Sequence, residues 1–272
     1  MSLSQRPENF TIDYSRSLAQ GLVFAGLGSH GKNTKMFYDS SPFKHHGTLT
    51  GNLTTGYHDG RMFVKNPSSG HIAFPYLYRN PAQSRTTIAC WVLYPTHTSY
   101  DALWWNNTLS NTWFYNTSNV ASPGIINRIV TSTTSSPYLI RDVILGEWHH
   151  YAFTISLGTG QYGLDMFING RSVGAYVGSI TGTLDWTTSV WTMFGGSNNG
   201  YAFVGSVKDF MLWEDRALTL PEIQQLADPS NVMLSGLIRP PKRKYYPIVY
   251  NTSTAHFLFL KQNNRFLSLQ KI

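Results

Sequence analysis

The dipeptide Asn169-Gly170 lies between two largely apolar segments, residues 163–168 and 171–177. A two-residue type I′ turn requires positive φ at both turn positions, and asparagine and glycine adopt that conformation most readily. The pattern therefore predicts a β-hairpin. Just upstream, residues 149–156 alternate between apolar and polar side chains, and this period of two indicates a half-buried strand. This part of the chain is thus predicted to form consecutive antiparallel strands.

Residues 203–213 predict one more long strand, and a short helix is predicted after it. Thr219 and Glu222 have the spacing of a capping box, and Pro221 occupies an early helical position, so the helix should run to about Ala227. Strands followed by one brief helix, without regular alternation of strands and helices, predict an antiparallel all-β domain.

The composition suits a folded β protein with a large core. Of the 272 residues, 14% are aromatic and only 13% are charged, and a chain of this length can form one sandwich with an appendage. Residues 95–145 are rich in Ser, Thr and Asn, which favour turns, so this region is predicted to be the least regular. Cys90, the single cysteine, is predicted to be a buried core thiol. Further strands are predicted at residues 21–25, 61–64, 71–74, 85–94, 102–105, 125–130 and 190–194.

Several short motifs follow one another in an order that is typical of one known fold. Trp148-His149 begin a strand, the hairpin carries the letters FINGRSVG, and Gly195-Gly196 precede GSVKDFMLW and RALTLPEI. In this order the chain resembles the laminin G-like, or concanavalin A-like lectin and glucanase, family over roughly residues 18–228. The resemblance implies an all-β, antiparallel jelly-roll β-sandwich at residues 15–230, preceded by an N-terminal lead of residues 1–14.

The charge distribution sets residues 231–272 apart as a C-terminal arm. Residues 1–228 contain 14 Lys and Arg against 14 Asp and Glu, whereas residues 229–272 contain 7 Lys and Arg and no acid. Residues 256–260 and 265–269 predict a hairpin whose first strand is apolar on both faces and must therefore be covered. We predict that the arm docks on other proteins of an assembly or on copies of this chain; the alternatives are an extended strap in solvent and, disfavoured, binding to nucleic acid. The residues predicted to carry this docking are Arg239, Lys242, Arg243, Lys244, Phe257, Phe259 and Phe266.

The sequence lacks the spacing of acidic residues that glycoside hydrolysis in this fold would need. Members of the family that cleave β-glucans place acids at alternate positions of one strand. The four glutamates here, Glu8, Glu147, Glu214 and Glu222, have no acid two residues away. A Gly-x-Ser-x-Gly elbow and the usual zinc-site spacings are also absent from the sequence. The sequence therefore predicts a protein that is not an enzyme.

No cofactor is predicted, although a calcium site is left open. Related jelly rolls often hold calcium, and Asp39, Asp59 and Asp209 are the acids near family-like positions. The histidine pairs at residues 45–46 and 149–150 are interpreted as structural, because neighbours on a strand face opposite sides.

A glycan platform is the candidate binding site of the sequence. Sugar sites combine an aromatic face with amide or carboxylate groups, and residues 104–107 and 113–116 contain both. The alternative is that these rings are core, and at least one of two adjacent tryptophans should be. Trp186 and Trp191 form a weaker candidate pair. The predicted carbohydrate-binding residues are Trp104, Trp105, Asn106, Trp113 and Tyr115.

The two ends of the sandwich region suggest a setting for the protein. Residues 13–23, and the Arg-Pro-Pro-basic segment at residues 239–244, resemble jelly-roll proteins of tailed bacteriophages. The resemblance implies a virion structural protein, such as a capsid decoration, head fibre or tail component. A secretory signal and a membrane-spanning apolar run are not recognised, so the predicted location is the virion, assembled in the host cytoplasm. The alternatives are a stand-alone lectin or carbohydrate-binding module, and a polysaccharide-degrading enzyme.

Overall fold

A computed structural model describes most of the chain. The described residues are 11–27, 35–74, 77, 85–95, 102–106, 111–116, 124–130, 135–142, 144–158, 161–178, 190–195, 202–231, 234, 236–239, 248–249, 258–262 and 265–267.

Strands make up nearly all of the regular structure in these ranges. The helical elements are a short 3-10 helix, Ser17–Ala19, and the helix α1, Leu220–Ala227. The strands are β1 (Thr11–Ile12), β2 (Leu22–Gly26), β3 (Met36–Phe37), β4 (Gly47–Thr50), β5 (Thr54–His58), β6 (Arg61–Asn66), β7 (His71–Phe74), β8 (Arg85–Leu93), β9 (Ala102–Asn106), β10 (Asn111–Asn116), β11 (Gly124–Val130), β12 (Ser135–Asp142), β13 (Trp148–Gly158), β14 (Gln161–Ile168), β15 (Arg171–Gly178), β16 (Trp191–Met193), β17 (Gly205–Glu214), β18 (Ile238–Arg239), β19 (Ile248–Val249), β20 (Leu258–Gln262) and β21 (Arg265–Leu267).

Two large antiparallel sheets form the body of the molecule. The first sheet has the strand order β12-β11-β10-β9-β16-β7-β4-β3. The second has the order β15-β14-β13-β8-β17-β6-β5, and β2 pairs with the later part of β17. Strands that are adjacent in space are often distant in sequence, as expected of a jelly roll. The predicted antiparallel jelly-roll β-sandwich with a short helix is confirmed.

Large aromatic side chains fill the space between the two sheets. Trp104 of β9 and Trp191 of β16 stack with ring centroids 5.3 Å apart and an interplanar angle of 15°. Phe210 of β17 lies 4.7 Å from Trp104 and brings the second sheet into the same cluster. Cys90 is buried here, and burial raises the pKa of its thiol. The prediction of a core thiol is therefore confirmed, and the interior is built as a closely packed apolar layer.

A second apolar cluster covers part of the outer face of the second sheet. Ala89, Ala152 and Met211 are register partners or near neighbours on that face. The small alanine side chains let other segments approach the sheet closely. Ile223 and Leu226 of α1 pack over them, together with Leu18 and Leu22 of the N-terminal segment. The described residues form no such apolar cover over the remaining part of this face.

Local signals in the sequence account for the hairpin and the helix. Asn169 and Gly170 have φ values of 50° and 74°, so both turn positions are left-handed as predicted. Glu222 accepts a hydrogen bond from the backbone N–H of Thr219 at 3.0 Å, as expected of a capping box, and α1 ends at Ala227.

Residues 95–145 are more regular than predicted. The described part of this region contains β9, β10, β11 and β12, which pair in sequence order. The expectation of an irregular region was wrong because the Ser and Asn residues are interspersed with Thr, aromatic and β-branched residues that favour strands, and pairing with a neighbour adds to that preference.

The chain divides into two compact units, Met1–Arg239 and Pro240–Ile272. Leu234, Leu237 and Ile238 are buried in the second apolar cluster, and β18 pairs with β1. The arm predicted from residue 231 therefore begins with residues that belong to the first unit, because their apolar side chains complete its core.

The second unit contains its own small sheet. In it β20 pairs with both β19 and β21, and Leu260 is the register partner of Leu267. This agrees with the predicted C-terminal hairpin. Among the described helices, none is long and apolar enough to cross a membrane.

Candidate functional site

The uncovered part of the second sheet presents a row of polar and aromatic residues. Trp91 of β8 is the register partner of His150 of β13 on one side and of Lys208 of β17 on the other. Cross-strand partners point to the same face of a sheet. Val92 and Val207, one position away, belong to the core between the sheets. Trp91, His150 and Lys208 therefore point away from the core.

A β-bulge in β17 sets the position of Lys208. Register with β8 shifts between Lys208 and Met211, so that Asp209 and Phe210 together oppose a single residue, Cys90. Asp209 takes a left-handed conformation with φ of 52°. Bulges add an unpaired residue and re-aim the side chains around it. The bulge lets Asp209 lie buried beside the row without changing the face to which Lys208 points.

Arg61 and Asp209 form a buried charge pair beneath this surface. Arg61 Nη1 lies 3.5 Å from Asp209 Oδ2, and their side chains are 1% and 0% exposed. Arg61 Nη2 also donates hydrogen bonds to the carbonyl oxygens of Asp228 and Pro229, at 3.1 and 3.0 Å. A buried ion pair is tolerated when it is hydrogen-bonded in this way. The pair joins β6, β17 and the segment after α1.

Lys208 carries a positive charge between two aromatic rings. Its Nζ lies 4.4 Å from the centre of the Trp148 ring and 5.3 Å from that of Trp91. The side chain is nearly buried, with 4% of the residue exposed. Both distances are within the range of a cation–π interaction. The rings thus stabilise an ammonium group that has little contact with solvent.

His58 joins Lys208 to a carboxylate at the edge of the same surface. Its Nδ1 lies 3.0 Å from Lys208 Nζ and 2.9 Å from Asp59 Oδ2. One ring nitrogen either accepts a hydrogen bond or donates one, so the two contacts belong to different protonation or tautomeric states of His58. Burial and the Lys208 charge lower the pKa of His58 from 6.5, against the opposing effect of Asp59. The neutral ring accepts the bond from Lys208.

The Asn169 turn fixes the tautomer of His149. The Asn169 side-chain oxygen accepts a hydrogen bond from the backbone N–H of His150 at 2.9 Å, which orients the amide. The amide nitrogen then faces His149 Nδ1 at 2.7 Å and donates to it. Nδ1 is therefore the acceptor, and the neutral ring carries its proton on Nε2. That nitrogen lies 3.8 Å from Glu147 Oε2, which is too long for a hydrogen bond.

These residues surround an open pocket of about 680 Å³. Its volume is in the range of small-molecule sites. Aromatic, cationic and anionic groups all contribute to the lining, which can therefore stack on a ring and form hydrogen bonds with its substituents. The pocket lining includes His58, Asp59, Trp91, Trp148, His149 and Lys208.

The predicted glycan platform is in part a core element. Trp104 is 1% exposed and Trp191 is 0% exposed, so neither ring can stack on a sugar from outside. Trp113 is the register partner of Trp104, and Thr112 that of Trp105. The side chains of Trp105, Asn106, Trp113 and Tyr115, and all of Trp186, lie outside the described residues. Trp104 is thus the core member of the adjacent tryptophan pair.

The three acids considered for calcium have different partners within the protein. Asp39 is buried and accepts hydrogen bonds from the backbone N–H groups of Ala25, Ser41 and His45. Asp209 is paired with Arg61, and Asp59 lies beside His58. Among the described residues, no group of three or more His, Cys, Asp or Glu is arranged to hold a metal ion. The described geometry gives these acids roles within the protein.

The predicted docking residues fall mostly outside the described part of the chain. Lys242, Arg243, Lys244 and Phe257 are not described. The backbones of Arg239, Phe259 and Phe266 lie in β18, β20 and β21, and their side chains are not described. The docking role of these residues stays a prediction.

Sequence reasoning missed the pocket, although part of its signal is visible in the sequence. Trp148 and His149 are recognised there only as a fold motif, and Asp59 and Asp209 only as candidate calcium ligands. Lys208 follows the alternation of its strand, but nothing in the sequence indicates a bulge after it. A lysine on the outer face of a central strand is the one feature that could have pointed to this surface.

Comparison with known proteins agrees with this architecture. A family model described as the concanavalin A-like lectin/glucanases superfamily matches residues 66–224. No curated protein sequence matches the chain.

Solved structures with a similar fold share little sequence with this chain. Domain 4 of AbnA, a GH43 extracellular arabinanase from Geobacillus stearothermophilus in complex with arabinotriose, has a TM-score of 0.55 and 15% identity, covering 76% of this chain and 98% of that domain. The binding domain of Paraclostridial Mosquitocidal Protein 1 has a TM-score of 0.57 and 16% identity, covering 94% and 68%. Trypanosoma rangeli sialidase has a TM-score of 0.53 and 15% identity, covering 79% of this chain and 33% of the sialidase. At such identities the likeness is one of fold.

Proposed function

Because this chain belongs to the concanavalin A-like lectin/glucanase superfamily, we propose that it is a non-catalytic glycan-binding protein. The proposed site is the pocket between Trp91, Trp148 and Lys208 on the outer face of the second sheet. The observation that carries the proposal is the combination of aromatic rings and hydrogen-bonding groups in one open cavity. Sugars are held by this combination, since their rings offer C–H faces and their hydroxyls need polar partners.

The exposure of the two carboxylates in the lining supports binding over hydrolysis. The side chains of Asp59 and Glu147 are 47% and 78% exposed. A carboxyl group that acts as a general acid is usually kept protonated by burial. Exposed carboxylates can accept hydrogen bonds from hydroxyl groups. The similar fold of an arabinanase domain in complex with arabinotriose is consistent with a sugar-binding role.

A glycan array tests the proposal, with the full-length chain as the probe. We expect binding to at least one class of glycan, and Trp148→Ala should weaken it by about tenfold or more, because a stacked aromatic face is lost. Trp105→Ala and Trp113→Ala are the matched controls on the platform predicted from sequence. If those controls abolish binding while Trp148→Ala does not, the pocket is the wrong site and the strands β9 and β10 hold the sugar.

We also propose that the protein is displayed on a bacteriophage particle, with residues 240–272 as its docking arm. The charge asymmetry favours this role, since the 14 acids of the whole chain all lie before residue 229. The C-terminal residues form a compact unit with a sheet of their own. A basic segment attached to a charge-neutral body suits docking on an acidic protein surface.

Light scattering after size-exclusion chromatography tests the arm. The full-length chain should form oligomers or bind purified particles, and a protein that ends at Arg239 should be a monomer that does not bind them. Lys242→Glu, Arg243→Glu and Lys244→Glu together should have the same effect without shortening the chain. The docking role is contradicted if the shortened protein keeps both the oligomeric state and the particle binding of the full-length chain.

A further inference from the structure

The pocket has a polarity gradient from its floor to its rim. Donor groups lie at the floor, where Trp91 and Lys208 are 6% and 4% exposed. Acceptor groups lie at the rim, where the Glu147 side chain is 78% exposed and that of Asp59 is 47% exposed. A ligand that fits this arrangement brings acceptor oxygens to the floor and hydroxyl donors to the rim.

Two N–H groups of the lining add to the donor character of the floor. The indole Nε1 of Trp91 and Nε2 of His149 are buried and meet no hydrogen-bond acceptor among the residues that the structure describes. The Asn169 amide fixes the His149 proton on Nε2, so this atom is a donor. Buried donors are costly without a partner. A ligand that brings acceptor oxygens to this end of the pocket would therefore match the donor character of its lining.

The floor of the pocket also carries positive charge, which attracts the same acceptor groups as its N–H donors. Lys208 contributes an ammonium group held between Trp91 and Trp148. The Arg61 guanidinium lies below it and is paired with Asp209, which does not line the pocket. The floor therefore has a positive potential at short range, where low solvent exposure limits screening.

On these observations we infer that the ligand of the pocket is an acidic saccharide, whose carboxylate or sulfate group lies at the floor near Lys208 and whose hydroxyls face Asp59 and Glu147. The inference rests on the proposed glycan-binding function and specifies the class of sugar. An anionic group offers several acceptor oxygens and no donor, which is the complement of the floor. The sugar hydroxyls donate hydrogen bonds to the carboxylates at the rim. Repulsion by these carboxylates disfavours placing the anionic group of the ligand there.

Protonation of His58 is expected to act in the same direction. The groups facing it are Lys208, Asp59 and Arg61, together with the Trp148 ring at 5.4 Å. When His58 gains a proton, Nδ1 donates to Asp59 instead of accepting from Lys208. The contact between Lys208 Nζ and His58 Nδ1 then no longer serves as a hydrogen bond, and the lining gains one positive charge. Acidic sugars should bind more tightly as the pH falls below 6.5, the unperturbed value.

Ligand-observed NMR titration of the full-length protein tests the inference with matched sugars. The probes are D-glucose, D-glucuronate and the methyl ester of glucuronic acid, with D-galactose and galactose 6-sulfate as a second pair. We expect the acidic sugar of at least one pair to bind about tenfold more tightly than its neutral partners. Sodium acetate and sodium sulfate at the same concentration control for simple anion binding. Carboxylate preference and sulfate preference both support the inference and identify the acidic group.

Lys208→Met assigns the preference to the floor, because methionine keeps the unbranched apolar stem and removes the charge. The preference should fall to about a fifth or less. Glu147→Gln is the second variant, at an exposed position where folding is not at risk. It removes a like charge and replaces a carboxylate acceptor with a weaker amide acceptor, so hydroxyl contacts weaken for both kinds of sugar while the preference for the acidic sugar should rise a few-fold.

The outcomes separate this inference from the proposed function. Equal binding of acidic and neutral sugars would overturn the inference and leave glycan binding in place. An acidic preference that survives Lys208→Met in a folded protein, or that weakens with Glu147→Gln, would overturn it as well. If no sugar on the array or in the titrations binds, the glycan-binding proposal itself fails.

Discussion

The buried pair of Arg61 and Asp209 is the residue-scale feature on which the pocket floor depends. We expect Asp209→Asn to lower the free energy of unfolding by about 3 kcal/mol, because it leaves the buried guanidinium without its counter-charge. Asparagine tolerates the left-handed conformation of this position, so backbone strain is not the cause. Urea unfolding followed by tryptophan fluorescence measures the effect.

Asp59→Asn, at a left-handed position with a 47% exposed side chain, is the matched control and should change stability by about 0.5 kcal/mol or less. Equal effects of the two changes would contradict the role given to the pair.

His150 gives the fold a dependence on pH. Burial lowers its pKa from 6.5 to about 3, with a smaller lowering effect of Arg61 and an opposing one of Asp209. The unfolded chain therefore binds a proton that the folded chain refuses between these two values, and stability falls as the pH drops from 6.5 toward 3. At pH 4.5 the loss relative to pH 7.5 should be about 2–3 kcal/mol from this residue.

His150→Leu tests this contribution, since neither ring nitrogen of His150 has a hydrogen-bond partner among the described residues. The variant should lose less stability between pH 7.5 and 4.5 than the parent protein in urea titrations. His71→Gln is the comparison at a less buried histidine and should leave most of the pH dependence in place. An unchanged slope in His150→Leu would show that other groups cause the acid sensitivity.

The sequence predicts to which face of a strand a side chain points. It does not predict whether another segment packs over that side chain. Alternation shows that Trp104 and Trp105 point to opposite faces, and the structure shows which of them is core. The sequence does not show that α1 covers only part of the second sheet, so Trp148 is recognised as a fold motif and its place in a pocket is not.

The hairpin of β14 and β15 is the element that also builds one wall of the pocket. Gly170 has φ of 74°, and a Cβ atom there would lie 3.2 Å from the Cα of Gln224 in α1. We expect Gly170→Ala to destabilise the protein by about 1–2 kcal/mol, because alanine is strained in the left-handed region. It should also weaken sugar binding through the Asn169 contact to His149. Chemical unfolding and the glycan titration measure the two effects.

Gly163→Ala in β14 is the matched control in the same hairpin. A Cβ atom there would meet nothing within 4 Å, and the backbone is not left-handed. Stability should stay the same or rise slightly, since alanine reduces the freedom of the unfolded chain. Comparable losses from both alanines would mean that the turn conformation is unimportant.

Elements whose conformation is specified by residues close in sequence were predicted well. Strands that depend on pairing with a neighbouring strand were not. The Asn169-Gly170 turn and the Thr219 capping box specify their conformations through nearby residues. Strands β10 and β12 mix aromatic and β-branched residues with Asn, Ser, Pro and Asp, and pairing with β9 and β11 defines them as strands. The bulge after Lys208 has no local signal that we recognise in the sequence.

At the scale of the whole molecule, the boundary between the two units sets where the chain can be cut. A protein ending at Arg239 should unfold cooperatively with the stability of the full-length body, since residues 240–272 form a separate compact unit. A protein ending at Ser235 loses Leu237, Ile238 and the pairing of β18 with β1. It should be less stable by about 3–5 kcal/mol. Calorimetry of the two proteins measures the difference, and equal stability would contradict the boundary.

Charge asymmetry and apolar pattern are sufficient to indicate a separate C-terminal arm from the sequence, but not where it begins. The compact C-terminal unit begins at Pro240, because Leu234, Leu237 and Ile238 complete the core of the first unit. Net charge can be summed along a sequence, whereas the partner of an apolar segment depends on the folded surface that it meets.

The extra residue in β17 has a consequence for engineering. Before it, even-numbered positions of the strand serve the ligand surface, and after it, odd-numbered positions such as Met211 and Trp213 serve the apolar cover. One strand therefore supplies two neighbouring surfaces on the same face of the sheet. A regular strand with this sequence would place these two sets of side chains on opposite faces. Grafting this site onto another jelly roll will require transplanting the insertion along with the side chains. Deleting Asp209 should keep Lys208 and Met211 on the outer face, because Phe210 alone then opposes Cys90, but it removes the counter-charge of Arg61.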